Sequence, residues 1–422
     1  MSDPNANRTG YKETKVGWIP AEWKVATGDS LTTLISKGAS PKWQGFDYCD
    51  SGMLFITSEN VRDGFLDISR PKFLPVEFNK KLKRTQLRVN DILINLVGAS
   101  IGRSCKVADD LGISNVNQAV AVFRMKEADR VAFTALYFQA PDTIHRILEM
   151  QVDAARPNIS LRDLRDFSIP LPPINEQARI STILSTCDEA IEVTDDLIKA
   201  KQRQKKALMQ QLLTGKKRLP GFEGEWTETI LDDLCTRLKD VADDPEGYPV
   251  LSITAGTGFV SQQDKFSRVI AGKQVENYVV LKRGEFAYNK GNSYRYPQGC
   301  VYQLSEYDEG LVPNVFYSFR LDEEQADPDF IKQYFLAGLH NKNLYRWINS
   351  GVRNNGLLNL NASDFFKLSI DLPPLPEQKA IGRVLCEADT EIKTLGEKLN
   401  ALKQQKKALM QKLLTGQVRV KV

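Results

Sequence analysis

Two stretches of the chain carry apolar residues at a sustained 4-3-4-3 spacing. The first runs through Ile180, Leu184, Cys187, Ile191, Thr194, Ile198, Lys201, Lys205, Leu208 and Leu212. The second runs through Ile381, Leu385, Ala388, Ile392, Leu395, Leu399, Leu402, Lys406, Leu409 and Leu413. This spacing predicts two long helices with a coiled-coil seam, imperfect in the first and better in the second. About 40 residues at 1.5 Å each give a rod of roughly 60 Å. Each stretch follows a strand-like end and a Pro-Pro pair, which cannot continue a ladder and forces a turn. Asn175 or a neighbour can cap the first helix, and Glu176 and Glu377 fall in the first turns, where the helix dipole favours negative charge. Both stretches close on Leu-Leu-Thr-Gly, where Gly215 and Gly416 can adopt the left-handed conformation that ends a helix.

The two stretches are copies of one another. Residues 171–219 align without a gap to residues 372–420, and Gln204–Gly215 match Gln405–Gly416 at every position but one. Outside them the likeness is weaker but keeps its order. LRVNDILIN from Leu87 pairs with LKRGEFAYN from Leu281, and VFRM ending at Met125 with SFRL ending at Leu321. Tyr137-Phe138 pairs with Tyr334-Phe335, FSIPLPP from Phe167 with LSIDLPP from Leu368, and Trp23 with Trp226. The chain is therefore an internal duplication. It predicts an α+β protein with two globular domains in tandem, each followed by a long helix. The expected bounds are a flexible lead over 1–15, a first domain over 16–171, a helix over 172–219, a second domain over 220–372 and a second helix over 373–422.

Charge sets the expected direction of the helices. The first half of helix one is acidic (Asp188, Glu189, Glu192, Asp195, Asp196) and its second half basic (Lys199, Lys201, Arg203, Lys205, Lys206); helix two is biased the same way. Parallel packing sets acid on acid, whereas antiparallel packing sets acid on base. An antiparallel pair with a pseudo-twofold axis is expected. Over the whole chain, 57 Lys and Arg against 53 Asp and Glu leave a net charge of only +4, so any basic surface must be local or shared with a partner. The six cysteines form no Cys-x-x-Cys pair, which argues against a disulfide framework or a zinc ribbon. That cysteine usage makes a reducing cytoplasm the expected setting, and with no apolar run reaching the roughly 18 residues of a membrane span, no membrane partner is expected.

Two variable domains, each followed by Leu-Pro-Pro-x-x-Glu-Gln and a long helix ending near Leu-Leu-Thr-Gly, resemble the specificity subunit of type I DNA restriction-modification systems. The residues that carry the resemblance are Leu171-Pro172-Pro173 with Glu176-Gln177, and Leu372-Pro373-Pro374 with Glu377-Gln378. NDILINLVGASIGRS (Asn90–Ser104) followed by Asn117-Gln118 is also similar to that family's target recognition domains. The second half departs there, with only a loose match in EFAYNKGNSYRYPQG, which implies a different half-site. The resemblance implies a non-catalytic subunit whose two domains each read one half of a split, asymmetric site in double-stranded DNA, the helices setting the gap. It further implies partners: two methyltransferase subunits binding S-adenosylmethionine and methylating adenine, and restriction subunits that use ATP and magnesium to translocate and cut. A methylation-only or related phage-defence assembly would use the same subunit. A reading of another class is a coiled-coil scaffold whose domains grip proteins.

Base reading draws on Arg and Lys for guanine and Asn and Gln for adenine, with polar groups for phosphates. In the first domain these point to Lys37, Ser40, Lys42, Trp43 and Gln44 in one turn-rich loop, and to Asn60, Arg62, Ser100, Arg103, Arg156 and Asn158 near strand ends. In the second they point to Thr254, Thr257, Gln262, Gln263, Lys265, Lys290, Asn292, Tyr294, Arg295, Arg353, Asn354 and Asn355. Any one of them is more simply accounted for as a solvated surface residue or a turn former, and Trp43 equally as core. The glycine-rich loops at 98–102 and 256–258 suit phosphates or plain hairpins alike.

Enzyme chemistry finds little footing. A DNA methyltransferase needs a polar residue before its Pro-Pro pair, and here Leu171 and Leu372 stand there. Glu391-Ile392-Lys393 has a nuclease-like spacing but falls on the predicted seam helix. His145 and His340 lack a second ligand at metal spacing, and no phosphate-binding GxxxxGK[ST] loop occurs. No metal or cofactor is expected on this chain itself.

Overall fold

The computed structural model describes residues 5–150, 158–266, 272–291, 296–348 and 358–421. The two long helices are α1 (Ile174–Leu212) and α2 (Leu375–Leu414). The chain forms two compact units, one of residues 1–194 with 398–422 and the other of residues 195–397. Each unit thus takes a piece of both helices, which the expected linear division into domains and helices does not anticipate.

In the first unit a four-stranded antiparallel sheet is built from β1 (Thr32–Lys37), β2 (Ile92–Asn95), β3 (Ser104–Lys106) and β4 (Val120–Met125), in the order β1-β4-β2-β3. β2 is buried on both faces, because Ile92 and Ile94 enter one core cluster while Leu93 enters another. The second unit repeats the plan with β5 (Cys235–Leu238), β6 (Phe286–Asn289), β7 (Cys300–Gln303) and β8 (Tyr317–Leu321), ordered β5-β8-β6-β7. The strand before each Pro-Pro pair closes onto the strand after the recurring tryptophan: Ser168–Leu171 on Lys24–Thr27, and Ser369–Leu372 on Thr227–Ile230.

An ion pair to a buried acid recurs at matching places in the two sheets. Arg124 on β4 grips Asp91 with two bonds of 2.7 Å, and Asp91 also accepts from the Arg88 amide at 2.8 Å. In the second unit Arg320 on β8 meets Glu285, which accepts from the Lys282 amide at 2.7 Å. The turn ahead of each acid needs a left-handed residue, supplied by Asn90 (φ 73°) and Gly284 (φ 91°). Burying a carboxylate is tolerable because the guanidinium fork and the amide together replace its water.

The repeated helical segments clasp each unit, the start of one helix being tied to residues just past the end of the other. In the first unit the buried Glu176 at the start of α1 accepts from Arg419 beyond the end of α2, at 2.7 Å twice, and from the Trp23 indole at 3.1 Å. Asp188 of α1 pairs with Lys406 of α2. In the second unit Glu377 at the start of α2 is fully buried and accepts twice from Arg218 beyond the end of α1, while Lys205 meets Asp389 and Lys201 meets Glu391. In each unit the residue numbers of paired partners run in opposite senses, so the helical pieces lie antiparallel. The glutamines beside the two acids tie back to the Pro-Pro pair, Gln177 to the Pro172 carbonyl at 2.7 Å and Gln378 to that of Pro373 at 2.9 Å.

The seam positions are buried or half-buried throughout. Ile180, Leu184, Leu399 and Leu413 are buried in the first unit, with Ile191, Leu402 and Leu409 half-buried; Leu212, Ile381 and Leu385 are buried in the second, with Ile198, Leu208, Ile392 and Leu395 half-buried. Burial is greatest where a sheet domain joins the helices. The lysines that interrupt the apolar spacing are the ones that make the cross-helix pairs, a polar choice that fixes register at some cost in apolar burial.

Two further expectations need correction. From Asn5 onward the expected lead is not loose: Tyr11–Thr14 pairs with Gly17–Pro20, and Asn5, Arg8 and Tyr11 donate to the carbonyls of Thr415, Gln417 and Gly416. The carbonyls at a helix end lack partners within the helix, and these side chains supply donors there. Asn175 is not a cap, since α1 begins one residue earlier and the turn is set by the prolines. Lysines aside, both helices end on left-handed glycines, Gly215 at φ 67° and Gly416 at φ 71°. A side chain at Gly416 would also collide with Pro20 and Trp23.

His340 lies in the turn after the helix Pro328–Leu336 and is only 2% exposed, edge-on to Phe335 at 5.1 Å. Neither ring nitrogen has a hydrogen-bond partner among the described residues. Burial pushes its pKa down to about 4, below the ordinary 6.5. The unfolded chain therefore binds a proton that the folded chain refuses, and stability must fall as pH drops from 6.5 toward 4. Denaturant titrations across that window are expected to show His340→Phe losing about 3 kcal/mol less than the native chain. Parallel loss in the two proteins would refute the assignment.

Candidate nucleic-acid interface

In the first unit, β2 ends on Asn95, a buried residue whose amide nitrogen donates to the Ser58 carbonyl at 2.9 Å and to the Ser100 hydroxyl at 3.1 Å. This clips together two loops, one after the strand Met53–Ile56 and one after β2. Between them opens a cleft of about 720 Å³, lined by Ser58, Glu59, Asn60, Arg62, Asp67, Ser69, Arg70, Lys72, Ser100 and Arg103. Four cations face it.

Three of those cations are held by carboxylates. Arg62 stands 3.5 Å from Asp67, Arg103 3.8 Å from Asp63, and Lys72 2.7 Å from Glu59. Hydrogen bonding from Lys72 holds Glu59 below its usual pKa, and the hydroxyl and amide of Ser69 do the same for Asp67. Both acids thus stay ionised and aim their partners. Arg70 is exposed and has no partner among the described residues. The surface is wet and its ion pairs are weak, which suits side chains that must exchange carboxylates for phosphates or base edges.

The cleft unites Asn60, Arg62, Ser100 and Arg103 from the sequence-based candidates. Asn60, however, is spent on the loop itself: its carbonyl oxygen accepts from the amide and hydroxyl of Thr57, and its nitrogen donates to the Asp67 carbonyl at 2.8 Å. It shapes the cleft and leaves no edge for a base. Arg70 and Lys72 were missed; the run Ser69-Arg70-Pro71-Lys72, two cations flanking a turn-forming proline, was the signal. Asn158 is exposed beside β2, bridged to Val97. Lys37, Ser40, Lys42, Trp43 and Gln44 do not line the cleft; Lys37, Lys42 and Trp43 are exposed, and Ser40 and Gln44 half-buried.

A family model for the type I restriction modification DNA specificity domain matches this chain twice, over residues 20–201 and 224–404. The chain belongs to that family. Among relatives, the type I restriction enzyme MjaVIII specificity subunit of Methanocaldococcus jannaschii is 25% identical over 438 residues, covering 97% of this chain and 96% of its own length. The EcoKI specificity subunit of Escherichia coli K12 is 22% identical over 428 residues, covering 95% and 90%. The fold is similar to that of the S subunit from M. genitalium, with TM-score 0.54 at 16% identity over 93% of this chain and 96% of that one.

The second specificity domain uses different parts. Thr257 closes the turn between Leu251–Thr254 and Gly258–Ser261 with a bond to the Thr254 carbonyl at 3.0 Å, and Thr254 is half-buried. Gln262 is buried, while Gln263 and Lys265 are exposed on the helix Gln262–Phe266. Lys290 lies over the Tyr317 ring at 5.0 Å and bonds its hydroxyl at 3.1 Å, so it is committed to the domain. Arg156, Asn292, Tyr294, Arg295, Arg353, Asn354 and Asn355 lie outside the described residues. Burial raises the thiols of the buried Cys105 and the half-buried Cys235 to about 12, and those of the buried Cys300 and the half-buried Cys386 to about 11. Of the histidines, His145 is an exposed partner of Glu149, and no described helix is long and apolar enough to cross a membrane.

Proposed function

We propose that this chain is the DNA-specificity subunit of a type I restriction-modification assembly in the cytoplasm, and that it performs no catalysis itself. The observation that carries the reading is the cleft at the end of β2, where four cations converge in a domain of the DNA specificity family. Each domain reads one half of a split site. The halves differ because the two domains differ in sequence there, NLVGASIGRS from Asn95 against NKGNSYRYPQG from Asn289.

Adenine methylation belongs to methyltransferase partners holding S-adenosylmethionine, and cutting to restriction partners using ATP and magnesium. The leucines before the Pro-Pro pairs support this division, since they offer no acceptor for an adenine amino group. The paired helices set the gap. Mapping methylated adenines in cells that express the chain with its methyltransferase is expected to yield one bipartite motif with a fixed gap; a continuous motif would sink the reading. One extra heptad in both helices adds about 10 Å and is expected to widen the gap by about three base pairs at 3.4 Å each. Restriction of unmethylated plasmid in the same cells separates a full system from a methylation-only one.

A further inference from the structure

Trp43 is 89% exposed, the most exposed large apolar side chain of the described residues. Single exposed apolar residues are ordinary, so exposure alone says nothing. The mounting is what sets this one apart. Trp43 sits on the short turn Lys42–Gln44, closed by bonds from the Gln44 and Phe46 amides to the Pro41 carbonyl at 2.9 and 3.0 Å. Gly45 ends the turn at φ 80°. Lys81 clamps it from outside, donating to the Gln44 carbonyl at 3.2 Å while its ammonium lies 4.9 Å from the Phe46 ring. Phe46 in turn packs edge-on against the buried Phe78 at 5.5 Å, and Phe78 against the buried Phe55 at 5.4 Å. The indole is thus the tip of a turn fastened to an aromatic core.

The turn is also cationic. Lys42 and Lys81 are exposed there, Lys37 is exposed at the end of the preceding strand, and residues 36–46 contain no acid; the first is Asp47. An aromatic ring on a fastened turn among cations suits duplex DNA opened at a base step, because the lysines meet phosphates while the indole wedges against the unstacked base. We propose that Trp43 wedges against a nucleobase at a partly unstacked step of the bound duplex, with Lys42 and Lys81 on the flanking phosphates. This rests on the function proposed above.

The test uses the full chain assembled with its methyltransferase subunits and a mixed-sequence duplex oligonucleotide at low salt, read by tryptophan fluorescence and anisotropy. DNA is expected to quench the native emission, and the quenching is expected to vanish in Trp43→Phe although four tryptophans remain. Trp43→Ala is expected to weaken binding about tenfold or more, with Trp43→Phe retaining most of the affinity. Native complexes that bind DNA without quenching, together with unaltered affinity of Trp43→Ala, would overturn the wedging role and leave the function intact. Quenching by the methyltransferase subunits without DNA, lost with the assembly in Trp43→Ala, would instead make Trp43 a protein contact. A native complex that binds no DNA would remove the proposed function as well.

Discussion

Replacing Arg62, Arg70, Lys72 and Arg103 together with alanine is expected to weaken DNA binding about a thousandfold at about 0.15 M salt, from roughly 1–3 kcal/mol per contact with incomplete additivity. The slope of log affinity against log salt should flatten by up to about 3.6, since each lost phosphate contact removes about 0.9. Two effects add. The cations go, and Glu59, Asp63 and Asp67 remain as unneutralised charge facing the phosphates. Folding should survive, because the four side chains sit on open loops and their ion pairs are exposed. Anisotropy titrations over a range of salt concentrations measure both quantities. An unchanged slope would move the DNA surface elsewhere. Arg70→Ala alone should account for a disproportionate share, since Arg70 gives up no partner on binding.

Arg218→Ala is expected to destabilise the chain by about 3–5 kcal/mol, the cost of leaving a buried carboxylate without its partner. Glu377 is fully buried, and both of its oxygens point at the Arg218 guanidinium. Glu377→Gln should cost less, because a neutral amide tolerates burial. The double change Arg218→Met with Glu377→Leu should recover much of the loss, as apolar replacement of a buried pair often does. Arg419→Ala should be milder, because Glu176 keeps the Trp23 indole and Arg419 is more exposed. Denaturant midpoints decide this. If Arg218→Ala unfolds no earlier than a change at the exposed Arg203, the clasp is ornamental.

Much of this was open to inspection in one dimension. The alignment of LRVNDILIN with LKRGEFAYN, and of VFRM with SFRL, already placed Asp91 opposite Glu285 and Arg124 opposite Arg320. That these letters are ion pairs was not visible, because acid and base lie far apart in the chain and nothing local couples them. The same holds for Glu176 with Arg419 and Glu377 with Arg218. Each acid read as a helix-dipole residue, a local role, when its partner is the arginine just past the other repeat's terminal glycine. Asn60 was misjudged for the converse reason: its chemistry suits adenine, but its neighbours Thr57 and Asp67 consume it.

The sequence alone determined the duplication, the two long helices and the burial of their 4-3-4-3 positions, because helical period and repeat identity are local properties of the chain. It also determined which segments differ between the halves, and so where selectivity must lie. Only the tertiary structure decided which loops share a cleft, which cations are free in it, and that the N-terminal segment is held by the tail. Those outcomes depend on side chains meeting across scores of residues, as when Asn95 clips two loops together, and the linear order of residues carries no distance.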